Sequence, residues 1–464
     1  MADKRFSRLF RYTVGMETFR AGSVGYFSHL GGLPHDFTQD RPAHIKWVEE
    51  EGLFRIEVLL ENREAVRDFE ETAVPHTVVG RTFSSGVVVT GVVRRSVSHN
   101  SARQRVSTAT YRATTLMHGL DPGRLTKPGV TEVSVRIPGI TNWAGVSALK
   151  EGNTTDDDGR NLSYTIEARA PEDVVLKLSK GRQLVLSAHW EATGSDDKRV
   201  VFAPVEISCR SKSPRDYYEM REPLLRIQEL VGLAYDGMVS AEGGVVNLVA
   251  EPPFGRKAEL WDSPLMWQRP GIISPRSMTE FPLFSLAHLG DAAGFGRWLR
   301  IWNTYGPAVR PLVDRLRVGE SSAPVRLMDV AAGIEHWVAR HKRNTKWAND
   351  GFAPAHALAK HVGHHFSDFV GDAHIWADAF WEMYLDTKHY RSESASSYGG
   401  DHAASLLAES GRILLMCAIL DRVGNSKHPS RSILTSHRTY PISRRIQELV
   451  SSSTPRKRRR RGRS

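Results

Sequence analysis

The stretch at residues 131–137, Thr-Glu-Val-Ser-Val-Arg-Ile, alternates polar and apolar side chains. That period of two is typical of a β-strand with one buried face. Similar short runs, rich in Val, Ile, Phe, Thr and Tyr, recur on both sides of it, at residues 53–60, 77–79, 87–93, 163–168, 183–190 and 200–208. Turn formers such as Gly194-Ser195-Asp196-Asp197 separate them. The pattern predicts a mainly antiparallel β sandwich or barrel-like domain over residues 1–250.

The C-terminal half has a different period. Apolar residues recur there every three to four positions, which predicts amphipathic helices at 296–316, 325–342, 355–385 and 403–423. The third segment contains Gly363 and Gly371, and either would break it. Four principal helices fit an all-α bundle, which we assign to residues 286–428. The fold class predicted for the whole chain is therefore α+β, with two domains.

Two segments between these halves are assigned from their local composition. Residues 217–234 have helical spacing, and we expect this helix to close the β domain. The proline-rich stretch that follows, 251–285, is predicted to be a linker. A chain of 464 residues is expected to have two cores, because single cores stop growing near ~250–300 residues.

The formal net charge of +11 is concentrated at the C-terminus. Residues 456–464 carry seven of the 63 basic residues and no acid, so the remaining 56 exceed the 52 acidic residues by only four. We predict that 429–464 is a basic, disordered tail. Its cations can bind RNA or another polyanion by counterion release, and they are Arg456, Lys457, Arg458, Arg459, Arg460 and Arg461. A solvated tail without a ligand is the alternative interpretation.

Composition also argues against several other classes of protein. No apolar run approaches the ~20 residues that span a bilayer, and the N-terminus lacks the apolar stretch of a signal peptide. We therefore expect a cytoplasmic protein with no membrane partner. Cys209 and Cys417 fall in different predicted domains, which argues against a disulfide or a cysteine zinc site and predicts two buried thiols.

Several short strings occur in a fixed order along the chain. They include Thr77-Val78-Val79-Gly80-Arg81-Thr82, Ile140-Thr141-Asn142-Trp143, Ala331-Ala332-Gly333-Ile334-Glu335 and Tyr384-Leu385-Asp386-Thr387-Lys388-His389-Tyr390. In order and spacing they resemble the ApeA family, which couples an ApeA N-terminal domain to an ApeA-like HEPN domain. The resemblance covers residues 22–423 and makes the predicted bundle HEPN-like.

The resemblance implies an antiviral role by abortive infection, in which a HEPN ribonuclease damages RNA of the infected cell. Such enzymes use an arginine, a neighbouring polar residue and a histidine separated from the arginine by four residues, usually from both protomers of a homodimer. The histidine would move a proton at the 2′-hydroxyl or the leaving oxygen, and the arginine would stabilise charge on the phosphate. Neither a metal nor another cofactor is needed.

This chain departs from the motif. Aligned on Asp386-Thr387, the arginine position falls on Lys388, the polar position on His389 and the histidine position on Glu393. Lysine lacks the planar two-pronged donor of arginine, and glutamate carries a charge that repels phosphate. An RNA-binding protein derived from a ribonuclease is thus favoured over an active metal-independent endoribonuclease, and both stay open. His389, or His402 if residues 392–400 fold back, would restore a proton-transfer group.

Glu335 lies on the otherwise apolar face of the second predicted helix of the bundle. An acid in that position needs a partner when it is buried. Lys388 or Arg391 on the facing helix can supply one, and the pair would support the degenerate site.

Five histidines crowd one helical region: His356, His361, His364, His365 and His374. His361 and His365 are four apart and share a helix face, as a metal pair would. The string lacks the glutamate of the zinc-protease motif and an evident third ligand, so we predict no metal and interpret the histidines as exposed or facing a partner.

Five aromatic residues occur at helical spacing in the predicted bundle, and they can be interpreted either as core residues or as a ligand site: Trp337, Trp376, Phe380, Trp381 and Tyr384. They could be an RNA-stacking platform. Spacings of three to five residues on helices are more typical of a bundle core or a dimer interface, which is our prediction.

The function predicted from the sequence is antiviral defence. The β domain would sense a viral protein or nucleic acid, or restrain the effector, and the HEPN-like domain would act on or bind RNA as a homodimer. The alternative is a non-enzymatic regulatory or scaffold protein that dimerises through the bundle and contacts nucleic acid through its tail.

Overall fold

The computed structural model describes residues 12–27, 41–60, 76–83, 85–99, 107–120, 125–195, 197–250, 257–269, 272, 281–341, 354–389 and 400–452. The chain divides into two compact units. The β unit comprises Met1–Thr141, Val146–Gln228 and Val239–Pro270, and the helical unit comprises Asn142–Gly145, Glu229–Met238 and Gly271–Ser464. A large antiparallel sheet followed by a helical region confirms the predicted two-part α+β class.

The described strands are numbered in chain order. They are β1 (Ser23–Phe27), β2 (Arg41–Val48), β3 (Leu53–Leu60), β4 (Thr77–Thr82), β5 (Gly86–Thr90), β6 (Val93–His99), β7 (Ser107–Ala113), β8 (Thr115–Leu120), β9 (Leu125–Arg136), β10 (Leu149–Thr155), β11 (Asn161–Ala168), β12 (Val174–Lys177), β13 (Arg182–Ala188), β14 (Glu191–Ser195), β15 (Lys198–Phe202), β16 (Val205–Arg215), β17 (Gly243–Ala250) and β18 (Lys257–Asp262).

Fourteen of these strands form one sheet in the order β12-β13-β16-β9-β17-β18-β8-β5-β4-β1-β2-β3-β7-β6, and its neighbours pair antiparallel. β10 pairs with β11, and β14 with β15, as separate two-stranded ribbons. The alternation that predicted strands is visible in β3, where every second residue is buried. One core cluster joins residues of β1, β2, β3, β4, β5, β7 and β8, so the sheet curls to bring these strands together.

The prediction that 251–285 is a linker was wrong, because β18 belongs to the sheet between β17 and β8. The helix at 217–234 therefore does not close the β domain, since two strands follow it. The flanking prolines obscured the pattern of β18, although every second residue of this strand is buried. Its last residue, Asp262, is fully buried and satisfied: it accepts hydrogen bonds from Thr115 and Tyr217, both at 2.8 Å, and pairs with Arg221 at 3.1 Å.

The described helices are α1 (Tyr12–Ala21), α2 (Ile140–Ala144), α3 (Tyr217–Tyr235), α4 (Ser263–Met266), α5 (Asp291–Val318), α6 (Ala323–His341), α7 (Pro354–Val362), α8 (His364–Val370), α9 (Ala373–Lys388), α10 (Gly400–Gly424), α11 (His428–Leu434) and α12 (Tyr440–Ser452). The predicted segment 355–385 is three helices rather than one. Gly363 and Gly371 break it because both adopt positive φ, 99° and 87°, which glycine tolerates without strain.

The bundle packs α5, α6 and α10 closely together. Gly333 makes this approach possible, because a Cβ there would lie 2.9 Å from Leu415 Cδ2. Along α10 nearly every residue from Ala403 to Val423 is buried. By length and composition α10 could cross a membrane, but 89% of its most apolar window is buried inside the protein, as in the core helix of a bundle.

The assignment of 429–464 to a disordered tail was wrong for residues 429–452, which form most of α11 and all of α12. These helices are anchored by apolar side chains: Ile433 and Ile446 are fully buried, and Val450 is 3% exposed. The Ser443 hydroxyl also donates to the carbonyl of Phe369 at 2.7 Å. The six predicted RNA-binding cations at 456–461 lie outside the described residues.

Candidate functional site

The two described residues of the predicted motif lie at the C-terminal end of α9. Asp372 caps the start of this helix by accepting from the backbone N–H groups of His374 and Ile375, at 2.8 and 3.0 Å. At the other end, Lys388 is the last helical residue and His389 is the C-cap, its N–H donating to the carbonyl of Leu385 at 3.0 Å. Both side chains are exposed, so a ligand in solution can reach them.

Lys388 is held by the tyrosine one turn earlier. Its ammonium donates to the Tyr384 hydroxyl at 3.1 Å and lies 5.2 Å from the centroid of that ring. Tyr384 is 4% exposed and therefore provides a fixed anchor. The hydrogen bond to Tyr384 raises the pKa of Lys388, and the negative charge of Glu335 adds to this effect. Lys388 is thus a positioned cation at neutral pH.

Glu335 was predicted to face Lys388 or Arg391. It lies on α6, half-buried, and acts electrostatically on Lys388 across the gap between the helices. Within the described part of the chain, no ion pair of 4.0 Å or less joins these two residues, so their interaction acts through space. Arg391 and Glu393 lie outside the described residues, while His402 is exposed near the start of α10.

Four of the five aromatic residues that the sequence assigned to the core or a dimer interface are buried in the core, and Trp381 is half-buried. Trp376 and Phe380 are fully buried and stack with ring centroids 5.2 Å apart, and Trp337 is 2% exposed. The Trp376 indole N–H donates to the Ser410 hydroxyl at 2.9 Å, which satisfies its polar atom. These rings are unavailable for base stacking.

The histidine-rich region forms ring contacts rather than a ligand shell. The rings of His364 and His365 are 3.9 Å apart, and those of His356 and His374 are 4.9 Å apart. His374 also lies 3.4 Å from Asp378. Among the described residues, no group of three or more His, Cys, Asp or Glu is arranged to hold a metal ion. Cys209 and Cys417 are buried and free, as predicted, and burial raises the pKa of Cys209 to about 11.

Sequence reasoning missed a charged network at the other end of α6. At its centre, the guanidinium of Arg412 is 2.6 Å from Glu409 and 3.0 Å from Asp236. Glu409 also pairs with Arg315 of α5 at 2.8 Å. Burial alone would raise the pKa of Glu409, but Arg412 and Arg315 outweigh that effect and lower it to about 2.

The network extends outward along α5 and α6. Arg315 pairs with Glu320 at 2.8 Å, and Arg326 lies 3.6 Å from the same carboxylate. Arg326 also donates to the hydroxyl of Ser405 at 3.0 Å. The network joins residues 315–326 to residues 405–412, which are far apart in the sequence, so no local motif could have revealed it.

The fold is thus that of a two-unit α+β protein with a large antiparallel sheet and a helical bundle. The family model of the ApeA N-terminal domain 1 matches residues 23–298, more than half of the chain. The chain belongs to the ApeA family, which relates it to antiviral, abortive-infection defence. No curated protein and no solved structure matches it significantly.

Proposed function

We propose that this protein is an antiviral defence protein of the abortive-infection type, with a β unit that senses or regulates and a HEPN-like helical unit directed at RNA. The observation that carries the RNA-directed part is the helix end at Lys388 and His389. It presents a fixed cation next to an imidazole, both exposed, and these are the groups that contact phosphate and move protons in metal-independent RNA chemistry.

The motif has lysine at its arginine position and glutamate at its histidine position, so binding of RNA is favoured over cleavage. Lys388 supplies a single point charge where an arginine would supply a fork of donors. A phosphate bound there gains one charge-assisted hydrogen bond and loses the geometric selection that a bidentate contact gives. A homodimer would bring two such helix ends together and partly compensate for the weaker contact.

The sensing role of the β unit is supported by the β10–β11 ribbon. Leu162, Tyr164 and Ile166 alternate along β11, so they share one face, and they are 69%, 60% and 49% exposed. An exposed apolar stripe on a ribbon is typical of a surface that binds a protein. The ribbon is thus the part of the β unit that we propose contacts a viral trigger.

Incubation of the purified full-length protein with single-stranded RNA tests the effector. The comparison is between wild type and a triple variant, Lys388→Ala, His389→Ala and Glu393→Ala, with Arg444→Ala on α12 as a surface control. Cleavage lost in the triple variant would indicate an active ribonuclease. Binding without cleavage, weakened in the same variant, would support the RNA-binding proposal.

The competing function is a non-enzymatic scaffold that contacts nucleic acid through the basic tail. It is favoured if RNA binding survives the triple substitution but disappears, together with its salt dependence, when residues after Thr454 are removed. Undiminished cleavage by a single His389→Ala variant would exclude His389 as the proton-transfer group.

A further inference from the structure

The helical unit contains a cleft of about 520 Å³ between α5, α6 and the middle of α10. That volume is in the range of small-molecule sites. Its walls combine apolar surface from Pro307, Pro311 and Val325 with four arginines, Arg310, Arg315, Arg326 and Arg412. The site is remote in sequence from Lys388, and the inference does not depend on the proposed RNA-directed function.

The arginines are held in place before any ligand arrives. Arg412 is 4% exposed and fixed by Glu409 and Asp236. Glu409 in turn fixes Arg315. Arg412, Glu409 and Asp236 thus form a fixed inner group. It lowers the entropy cost of binding a ligand, because the outer arginines that pack on it are already oriented.

The outer arginines have unused donors. Among the described residues, the Nε atoms of Arg315 and Arg326 are buried without a hydrogen-bond partner. Arg310, which also lines the cleft, is exposed. Buried N–H groups that lack an acceptor are costly, so an acceptor at this position would be stabilising.

One carboxylate beside the cleft already pairs with two of its arginines. Glu320 follows Gly319, the C-cap of α5, and lies 2.8 Å from Arg315 and 3.6 Å from Arg326. Its side chain is 48% exposed, so its ion pairs are largely solvated and contribute little to stability. Glu320 is therefore an internal anion that a stronger one can displace.

We propose that this cleft binds a small organic phosphate monoester and that the phosphate displaces Glu320 from Arg315 and Arg326. A tetrahedral phosphate can accept from several divergent donors at once, whereas a planar carboxylate such as Glu320 leaves both Nε groups unused. The apolar wall takes the organic part of the ligand. Three carboxylates also line the cleft, those of Asp314, Asp329 and Glu409, and they disfavour a second phosphate group, which selects monoesters over polyphosphates.

Isothermal titration calorimetry of the full-length protein with phenyl phosphate tests this assignment, with inorganic phosphate, benzoate and a single-stranded RNA oligonucleotide as parallel probes at constant ionic strength. Phenyl phosphate should bind more tightly than inorganic phosphate or benzoate. Glu320→Gln should tighten its binding by roughly threefold, since the competing charge is removed. Arg326→Gln should weaken it roughly tenfold, the effect of losing one charge-assisted hydrogen bond.

Two further variants keep the result interpretable. Glu448→Gln makes the same change as Glu320→Gln in an exposed pair with Arg444 on α12, and it should leave the affinity unchanged. Arg326→Lys keeps the charge and should retain part of the binding if Arg326→Gln perturbs folding. Failure of phenyl phosphate to bind, equal affinity for benzoate, binding of RNA alone, or identical affinities in wild type, Glu320→Gln and Arg326→Gln would each overturn the proposal.

Discussion

Helix α6 carries two charged regions that differ in construction. Its N-terminal half contributes Arg326 to a network of arginines and carboxylates around the buried Arg412. Its C-terminal half contributes Glu335, which acts through space on the exposed Lys388. The first region is held by many direct contacts, while the second depends on one hydrogen bond to Tyr384.

The difference shows that the residues aligned with a sequence motif need not be the charged residues that the fold holds most firmly in place. The end of α9 is where the sequence was aligned with a family motif, but one hydrogen bond positions its cation. The α5–α6–α10 cleft matches no pattern, yet its groups are fixed before a ligand binds. Substitutions in the arginine network should therefore change the stability of the fold, while substitutions at the end of α9 should change the pKa of Lys388 and leave stability nearly unchanged.

The largest effect is expected from Arg412→Ala. The substitution leaves Asp236 without this cation and Glu409 with Arg315 alone. Breaking a buried ion pair by removing one partner costs about 3–5 kcal/mol, and we expect the lower part of that range because Arg315 still pairs with Glu409. Urea unfolding followed by circular dichroism at the helical signal would measure this loss as a lower midpoint.

The control for this experiment is Arg444→Ala, which removes an exposed arginine that pairs only loosely with Glu448 at 3.6 Å. Its effect should stay within about 0.5 kcal/mol, as for most surface substitutions. Equal midpoints for Arg412→Ala and Arg444→Ala would mean that the network does not stabilise the helical unit.

Much of the fold could be predicted from periodicity. The alternating run at 53–60 matches β3, and the amphipathic segments match α5, α6 and α10 to within a few residues. Two short elements, β18 and α12, were not predicted, because the composition of their segments is typical of a linker and of a charged tail. Prolines surround β18, and α12 presents Arg444, Arg445 and Glu448 to solvent while burying only Ser443, Ile446 and Val450. Three buried residues in a charged segment are too weak a signal to distinguish the helix from a tail.

The two candidate sites also differ in how far the sequence predicts them. The interaction of Glu335 with Lys388 could be expected, because Glu335 lies on a predicted helix, Lys388 lies just beyond the end of another, and the carboxylate needed a partner. The cleft could not be expected, because Arg315, Arg326 and Arg412 come from three helices whose packing is not encoded by any local pattern. Each arginine alone is indistinguishable from a surface residue in the sequence.

The next effect is the loss of stability at low pH, which should be smaller than the loss caused by Arg412→Ala. Because the pKa of Glu409 falls from its ordinary 4.5 to about 2 in the folded protein, its contribution to stability is complete above about pH 5 and is lost as the pH falls toward 2. Over that range wild type should lose up to about 3 kcal/mol more than Glu409→Gln, which has no carboxyl group to protonate there. Urea midpoints of both proteins at several pH values give the comparison, and parallel curves would contradict it.

The smallest effect is expected at the end of α9, from Tyr384→Phe. The ring stays buried, so the urea midpoint should hardly move, but the ammonium of Lys388 loses its hydrogen-bond acceptor. Because that bond raises the pKa of Lys388, the substitution should lower it toward the ordinary lysine value. Nuclear magnetic resonance titration of the Lys388 side chain would measure the change. Glu335→Gln serves as the matched comparison and should lower the same pKa by less, because its charge acts from a greater distance. If Glu335→Gln lowered it more than Tyr384→Phe, the helix end would be organised by the charge across the helices, as the cleft is, and the contrast between the two regions would disappear.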